Sequence, residues 1–144
     1  MNKIEYYSCK LDDLEQLKLF PPDKIRWLNV PDDFDLIKKY YKIISNSDTD
    51  INEADFSSNQ WKMCALFENE EIVSFAGILY MTDKNWELGA VSTHPEHKNK
   101  GYSTMICSFV SKYILEKGKQ VTCNTKIDNY PMQRVMRKIG MIMQ

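Results

Sequence analysis

The chain lacks any apolar stretch long enough to span a membrane. Its longest, Phe75 to Met81, is seven residues, against roughly 20 for a spanning helix. The opening Met1-Asn2-Lys3-Ile4-Glu5 is too polar for a signal peptide, so a cytoplasmic protein is expected with no membrane contact. It lacks paired cysteines. Cys9, Cys64, Cys107 and Cys123 are widely spaced with no C-x-x-C, the pattern of reduced intracellular thiols rather than of a disulfide framework or a zinc site. Histidine is scarce: His94 and His97 share one Pro-containing loop with no cysteine nearby, and a solvated loop without metal is the expected reading. An excess of one charge is missing too. Nineteen Lys and Arg against 20 Asp and Glu leave a formal net charge of −1. No global field therefore draws the chain to nucleic acid or anionic lipid. There are no internal repeats and no low-complexity segments.

What is present is an ordinary globular composition, 43% hydrophobic and 27% charged over 144 residues. That length suits one domain, 1–144, with a single core burying roughly 68% of its unfolded surface. Ile4 to Cys9 reads as an opening strand. Asp12 and Asp13 precede Leu14 and Leu17 in a predicted helix ended by Phe20-Pro21-Pro22, and Ile25 to Leu28 reads as a turn. Pro31-Asp32-Asp33 opens a longer predicted helix, because proline suits its first position and carboxylates its positive end. Phe34, Ile37, Tyr41 and Ile44 form the buried stripe, widened by Leu36, Tyr40 and Ile43. Ser45 to Gln60 is polar and reads as a loop.

From there the pattern changes. Trp61 to Phe67, Ile72 to Met81 and Trp86 to Thr93 are apolar runs joined by short charged turns, hence antiparallel neighbours. Met105, Phe109 and Tyr113, with Ile106, Val110 and Ile114 beside them, mark a helix that Gly118 stops. Val121, Cys123, Thr125 and Ile127 alternate as a half-buried strand. Asn129-Tyr130-Pro131 starts another helix with Met132, Val135, Met136 and Ile139 on one face. Only Met141 to Gln144 remain for a final strand.

The most informative segment is Lys98-Asn99-Lys100-Gly101-Tyr102-Ser103, between a strand and an amphipathic helix. A helix start leaves N–H groups unpaired and carries partial positive charge, which suits a phosphate or pyrophosphate. Gly101 allows a positive φ or a close backbone approach, and Lys98 and Lys100 add charge. Neither a Walker A motif nor a G-x-G-x-x-G turn is present. On the turn alone, an ordinary helix start with two solvated lysines outweighs a ligand site.

Its context changes that weighting. Glu87-Leu88-Gly89-Ala90-Val91-Ser92-Thr93-His94-Pro95-Glu96, followed by KNKGYS, resembles motif A of the GNAT superfamily of N-acetyltransferases. The likeness is greatest to the FR47-like branch. Asn129 and then Val135-Met136-Arg137-Lys138-Ile139-Gly140-Met141 resemble a second family landmark. The resemblance covers about residues 61–144. It implies an α+β fold, a mostly antiparallel mixed sheet flanked by helices in the order β-α-α-β-β-β-α-β-α-β, with short or missing C-terminal strands. Residues 1–60 would form a helical acceptor-side part and 61–144 the acetyl-CoA-binding core.

The resemblance also implies roles. Backbone groups of Val91, Ser92 and Thr93 would line the pantetheine arm. Amides from Lys98, Asn99, Lys100, Gly101, Tyr102, Ser103 and Thr104 would hold the pyrophosphate. Asn129 would touch the cofactor arm from the opposite side, and Arg134 or Arg137 would meet a phosphate. Glu87, fourteen residues before Gly101, matches the general base of the histone-acetylating branch. Strand alternation would place it with Gly89 and Val91 on one face, and the alternative is a plain surface glutamate. The family's tyrosine acid is replaced by Met136, which has no proton to give. Either Tyr130 or Tyr102 takes over, or no acid is needed: a thiol pKa near 8.5 lets a thiolate leave near neutral pH at a deficit of about two units or less. Cys123 as an acyl-accepting nucleophile is outweighed by the inertness of buried cysteines.

The expected function is N-acetyl transfer from acetyl-CoA to a primary amine. The alternatives are a non-catalytic acyl-CoA-binding module on the same fold, or an unrelated phosphate-binding α+β domain. With so little chain after Gly140, an uncovered sheet edge predicts a homodimer. Tyr40, Tyr41 and Trp27 read as core residues rather than pocket walls.

Overall fold

The computed structural model describes residues 5–45, 53, 61–80 and 82–144. Most of the polar segment from Ser45 to Gln60, read as a loop, lies outside the described residues. Among the described residues seven strands and three α-helices follow one another as β1 (Tyr6–Leu11), β2 (Ile25–Trp27), α1 (Phe34–Ser45), β3 (Trp61–Glu68), β4 (Glu71–Tyr80), β5 (Asn85–Thr93), α2 (Tyr102–Glu116), β6 (Gln120–Lys126), α3 (Tyr130–Lys138) and β7 (Ile142–Met143). The sheet order is β2-β3-β4-β5-β6-β1-β7. Only β5 and β6 run parallel, and the other pairs are antiparallel. This is the mixed, helix-flanked α+β architecture that the sequence implied.

Two helices cover one face and one covers the other. Ile106, Val110 and Ile114 of α2 and Met136 of α3 pack with Cys64, Ile78, Leu88, Val121 and Cys123. On the opposite face Ile37 and Tyr40 of α1 pack on Met63, Ala65, Ile72 and Phe75, with Tyr41 against the same cluster. The buried stripe of α1 centres on Ile37 and Tyr40, while Ile43 is exposed. Trp27, on the α2 side, packs its ring 5.3 Å from Phe109 and 4.8 Å from Tyr113. All three rings read as core residues therefore pack on the core.

Four expectations, about the first 30 residues, the end of β6 and the sheet edge, need correction. Asp12 to Phe20 is not a helix. Gln16 Oε1 accepts from the amides of Asp12 and Asp13 at 2.7 and 3.3 Å, and Gln16 N donates to Asp13 Oδ1. Side chains take over the local backbone groups, so one turn forms and does not propagate. Lys18 N then bonds Ile139 O, and Phe20 N bonds Ser108 Oγ, docking the segment on α2 and α3. Ile25–Trp27 is a strand on β3, not a turn, which changes the order to β-β-α-β-β-β-α-β-α-β. Ile127 lies past the end of β6 and is exposed.

The fourth correction concerns the open edge. β1 pairs with β6 along its whole length, from Tyr6 opposite Lys126 to Leu11 opposite Val121, and β7 adds to the far side of β1. The chain's own first strand occupies the outer edge of β6, and among the described residues the sheet ends at β2 and β7.

Gly140 ends α3 at φ +95, and a Cβ there would sit 2.2 Å from the Gln16 carbonyl oxygen. The backbone of the Asp12–Phe20 turn occupies that space. Gly140→Ala is expected to lower stability by about 2–4 kcal/mol from clash and strain together. Urea denaturation checks this, and a loss under about 1 kcal/mol would contradict the close contact.

Candidate functional site

β5 and β6 pair only at Asn85–Gln120, Trp86–Val121 and Glu87–Thr122. Beyond that point they part. β5 stays bonded to β4, and β6 to β1, so each keeps its outer partner. The inner backbone edge of β5 over Leu88 to Thr93 is left without a strand partner among the described residues. Unpaired N–H and C=O groups must find another partner, and here they line a cleft.

A bulge aims this edge. Between the pairs Gly77–Gly89 and Phe75–Ser92 the β5 strand carries one extra residue, and Ala90 takes φ +54. Two residues, Ala90 and Val91, thus oppose one on β4, which bends a strand and shifts its facing. Before the bulge, Leu88 belongs to the α2-side core and Glu87 points the other way. After it, Val91 packs on the α2 side, while Ser92 turns to the α1 side and its Oγ lies 2.7 Å from Tyr40 Oη. The expectation that Glu87 and Val91 share a face is overturned, because a one-residue slip reverses a period of two.

The cleft between the parted strands is about 460 Å³. One wall is β5 from Leu88 to Thr93 and the turn into α2. The other is Cys123 to Thr125 of β6 and the cleft-facing side of α3. Asn99 and Gly101 both have positive φ, +66 and +79, so the chain enters α2 through two left-handed residues. Among the described residues no side chain caps this helix, and Met105 N to Gly101 O is the first helical bond. The amides of Tyr102, Ser103 and Thr104 precede it and face a helix end of partial positive charge. A Cβ on Gly101 would meet nothing within 4 Å, so the approach is open.

The turn is held from behind by hydroxyls. Ser103 Oγ is 2.7 Å from Thr93 Oγ1, which lies 3.0 Å from Ser74 Oγ, and Ser74 also donates to Ser92 O. Tyr102 donates to Glu68 Oε1 at 2.9 Å, and Lys24 bonds the other carboxylate oxygen. These bonds hold Glu68 below the usual carboxylate range and push the Tyr102 hydroxyl up. Burial pushes Tyr40 up to about 12, so it stays protonated at the Ser92 hydroxyl.

The lining carries one sign of charge. Lys98, Arg134 and Lys138 line the cleft, with no carboxylate among the described lining residues. In a chain of net charge −1, that asymmetry favours an anion locally. Lys100 and Arg137, both weighed from the sequence, lie outside the lining. Lys138, Asn124, Thr125 and His97 line it and were missed. For Lys138 the signal was available: it stands four residues after Arg134, hence on the same helical face. His97 stacks near the Tyr102 ring at 6.3 Å, and its buried Nδ1 has no hydrogen-bond partner among the described residues.

Asn129 also lines the cleft, where two bonds fix it. Its Oδ1 accepts from Met132 N as the cap of α3, and its Nδ2 donates to Thr125 Oγ1. Glu87 does not line the cleft. It sits half-buried at the point where the strands part, its Oε1 accepting from Asn124 Nδ2 at 2.7 Å. Tyr130 is 63% exposed and outside the lining, and Met136 is fully buried in the core. Burial pushes Cys123 up to about 12, as expected of an inert thiol. Among the described residues no helix is long and apolar enough to cross a membrane.

Comparison with known proteins agrees with this geometry. A family profile described as an acetyltransferase (GNAT) domain matches residues 8–142. No curated protein matches. Among solved structures, a GNAT-family acetyltransferase from Novosphingobium aromaticivorans aligns with a TM-score of 0.73 at 12% identity, covering 98% of this chain and 61% of that one. A GNAT acetyltransferase from Colwellia psychrerythraea gives 0.76 at 11% identity, covering 98% and 53%. An aminoglycoside N-acetyltransferase in complex with CoA gives 0.64 at 14% identity, covering 81% and 89%. At such identities the likeness shows a shared fold. The chain spans just over half to about three-fifths of the length of the first two structures.

Proposed function

The chain belongs to the GNAT acetyltransferase domain family, and from that premise we propose that it transfers an acetyl group from acetyl-CoA to a primary amine. One observation carries the reading. The unpaired inner edge of β5 and the uncapped start of α2 open into the same cleft, whose charged lining is cationic. An extended amide-bearing arm suits the first, and a pyrophosphate suits the second. The CoA bound by the aminoglycoside acetyltransferase of like fold is in keeping with this.

In this reading Val91, Ser92 and Thr93 offer backbone groups to the pantetheine arm. Lys98, Asn99 and Gly101 to Thr104 hold the pyrophosphate, and Arg134 and Lys138 meet a further phosphate. Asn129 borders the arm from the α3 side. The amine approaches at the parting of the strands, where Glu87 accepts its proton directly or through water. Unpaired β5 amides polarise the thioester carbonyl. The sulfur leaves as a thiolate: Met136 is buried and Tyr102 is engaged with Glu68. Resemblance to the FR47-like branch rests on the Glu87–Ser103 segment alone.

The absence of a placed acid favours a second reading, a non-catalytic acyl-CoA-binding module on the same cleft. Both readings require binding. Acetyl-CoA at 100 times its Kd should stabilise the fold by about 2.7 kcal/mol, raising Tm by roughly 5–10 °C for this size. An unmoved midpoint with acetyl-CoA and CoA would remove both. Thiol release across aminoglycosides, polyamines and peptide N-termini then separates them, since the binding module predicts none.

A further inference from the structure

We propose that Asn124 is the positioning residue of the reaction: its carboxamide holds the Glu87 carboxylate aimed at the point where β5 and β6 part. This rests on the reading of Glu87 as the base. Asn124 belongs to no motif, and it lies 37 positions from Glu87 in the chain. The parallel register brings them together. Glu87 stands opposite Thr122 at the last paired position. Val121 and Cys123 point into the α2-side core, so Thr122 and Asn124 share the other face with Glu87. Asn124 is one step beyond the last pair, where it both lines the cleft and reaches back to Oε1 at 2.7 Å.

The surroundings leave that bond decisive. On β5 the next residue of the same face is Gly89, which offers no side chain. β4 presents the backbone of Leu79 opposite Glu87. From β6 come Thr122, Asn124 and, on the far side, the Cys123 thiol, which burial first and then the charge of Glu87 push up; beyond Thr122, β1 presents Lys10, whose Nζ lies 3.4 Å from Asp12 Oδ2. Among the described residues Glu87 makes no ion pair and no second hydrogen bond. Asn124 is therefore the donor that fixes the carboxylate's rotation. A base must be ionised before the amine arrives, and its free oxygen must face the reacting atoms. Because Asn124 also lines the cleft, cofactor entry touches the residue that orients the base.

The test separates aim from binding. Asn124→Leu removes the donor and should lower kcat for thiol release about tenfold while the acetyl-CoA KM stays within about twofold. Asn124→Asp, whose ionised side chain cannot donate, should match it, and Asn124→Gln, which keeps a carboxamide donor, should recover part of kcat. Asn124 is exposed at the surface of β6, so none of these changes threatens the fold. In protein carrying 13C-labelled glutamate with acetyl-CoA bound, the Glu87 carboxyl signal, assigned by its loss in Glu87→Gln, should move in Asn124→Leu and Asn124→Asp, which a merely structural role would not produce. An unchanged kcat and carboxyl signal in both variants overturns the inference while leaving Glu87 as base. Full turnover in Glu87→Gln sinks the base reading itself, and the positioning role with it.

Discussion

Acetyl-CoA binding is expected to fall at least 100-fold in Gly101→Glu, with the domain still folded. The substitution puts a carboxylate at the uncapped start of α2, where the amides of Tyr102 to Thr104 would meet a pyrophosphate. A Cβ at this position meets nothing within 4 Å, so sterics cost little. The φ of +79 costs a non-glycine residue roughly 1–2 kcal/mol, and this must be separated from the charge. Gly101→Asn does so, because asparagine tolerates the left-handed region and is neutral. Isothermal titration should find Gly101→Asn within about tenfold of the parent and Gly101→Glu weaker by about 100-fold or more, each tenfold step being about 1.4 kcal/mol. Equal binding by the Gly101→Glu variant and the parent would move the phosphate end elsewhere.

The second large effect is chemical. Glu87→Gln should lower kcat by roughly 10²–10⁴-fold and leave acetyl-CoA affinity unchanged, because Glu87 does not line the cleft. Glutamine keeps the shape and can still accept from Asn124, so the geometry of the parted strands survives. The acid limb of the pH–rate profile should disappear with the carboxylate. A loss of affinity with kcat intact would make Glu87 a binding residue. An unchanged pH–rate profile would remove it from the reaction.

Most of the cleft was legible, and for a local reason. The elements that build it, β5, the turn, α2, β6 and α3, are contiguous from Asn85 to Lys138, and each has a clear period and a stop. Gly101 and Asn129 announced their roles through helix-terminus chemistry. What failed was long-range or side-chain-driven. Gln16 capturing the amides of Asp12 and Asp13 stopped a helix that spacing favoured. Ile25–Trp27 became a strand because β3 offered it an edge. The facing of Val91 was misjudged because a bulge at Ala90 has no signature in its own composition. Asn124 was unreadable as a partner of Glu87 because only strand register sets them side by side.

The sequence by itself determined the secondary periods, the phosphate-friendly helix start and the family, since these depend on residues within a turn or two of each other. Tertiary structure decided how β5 and β6 separate, that β1 covers the edge of β6, and which cations face the cleft. It also decided that Glu87 is held by Asn124. Those outcomes follow from strand order and register, which arise from burial summed over the whole sheet rather than from any one segment.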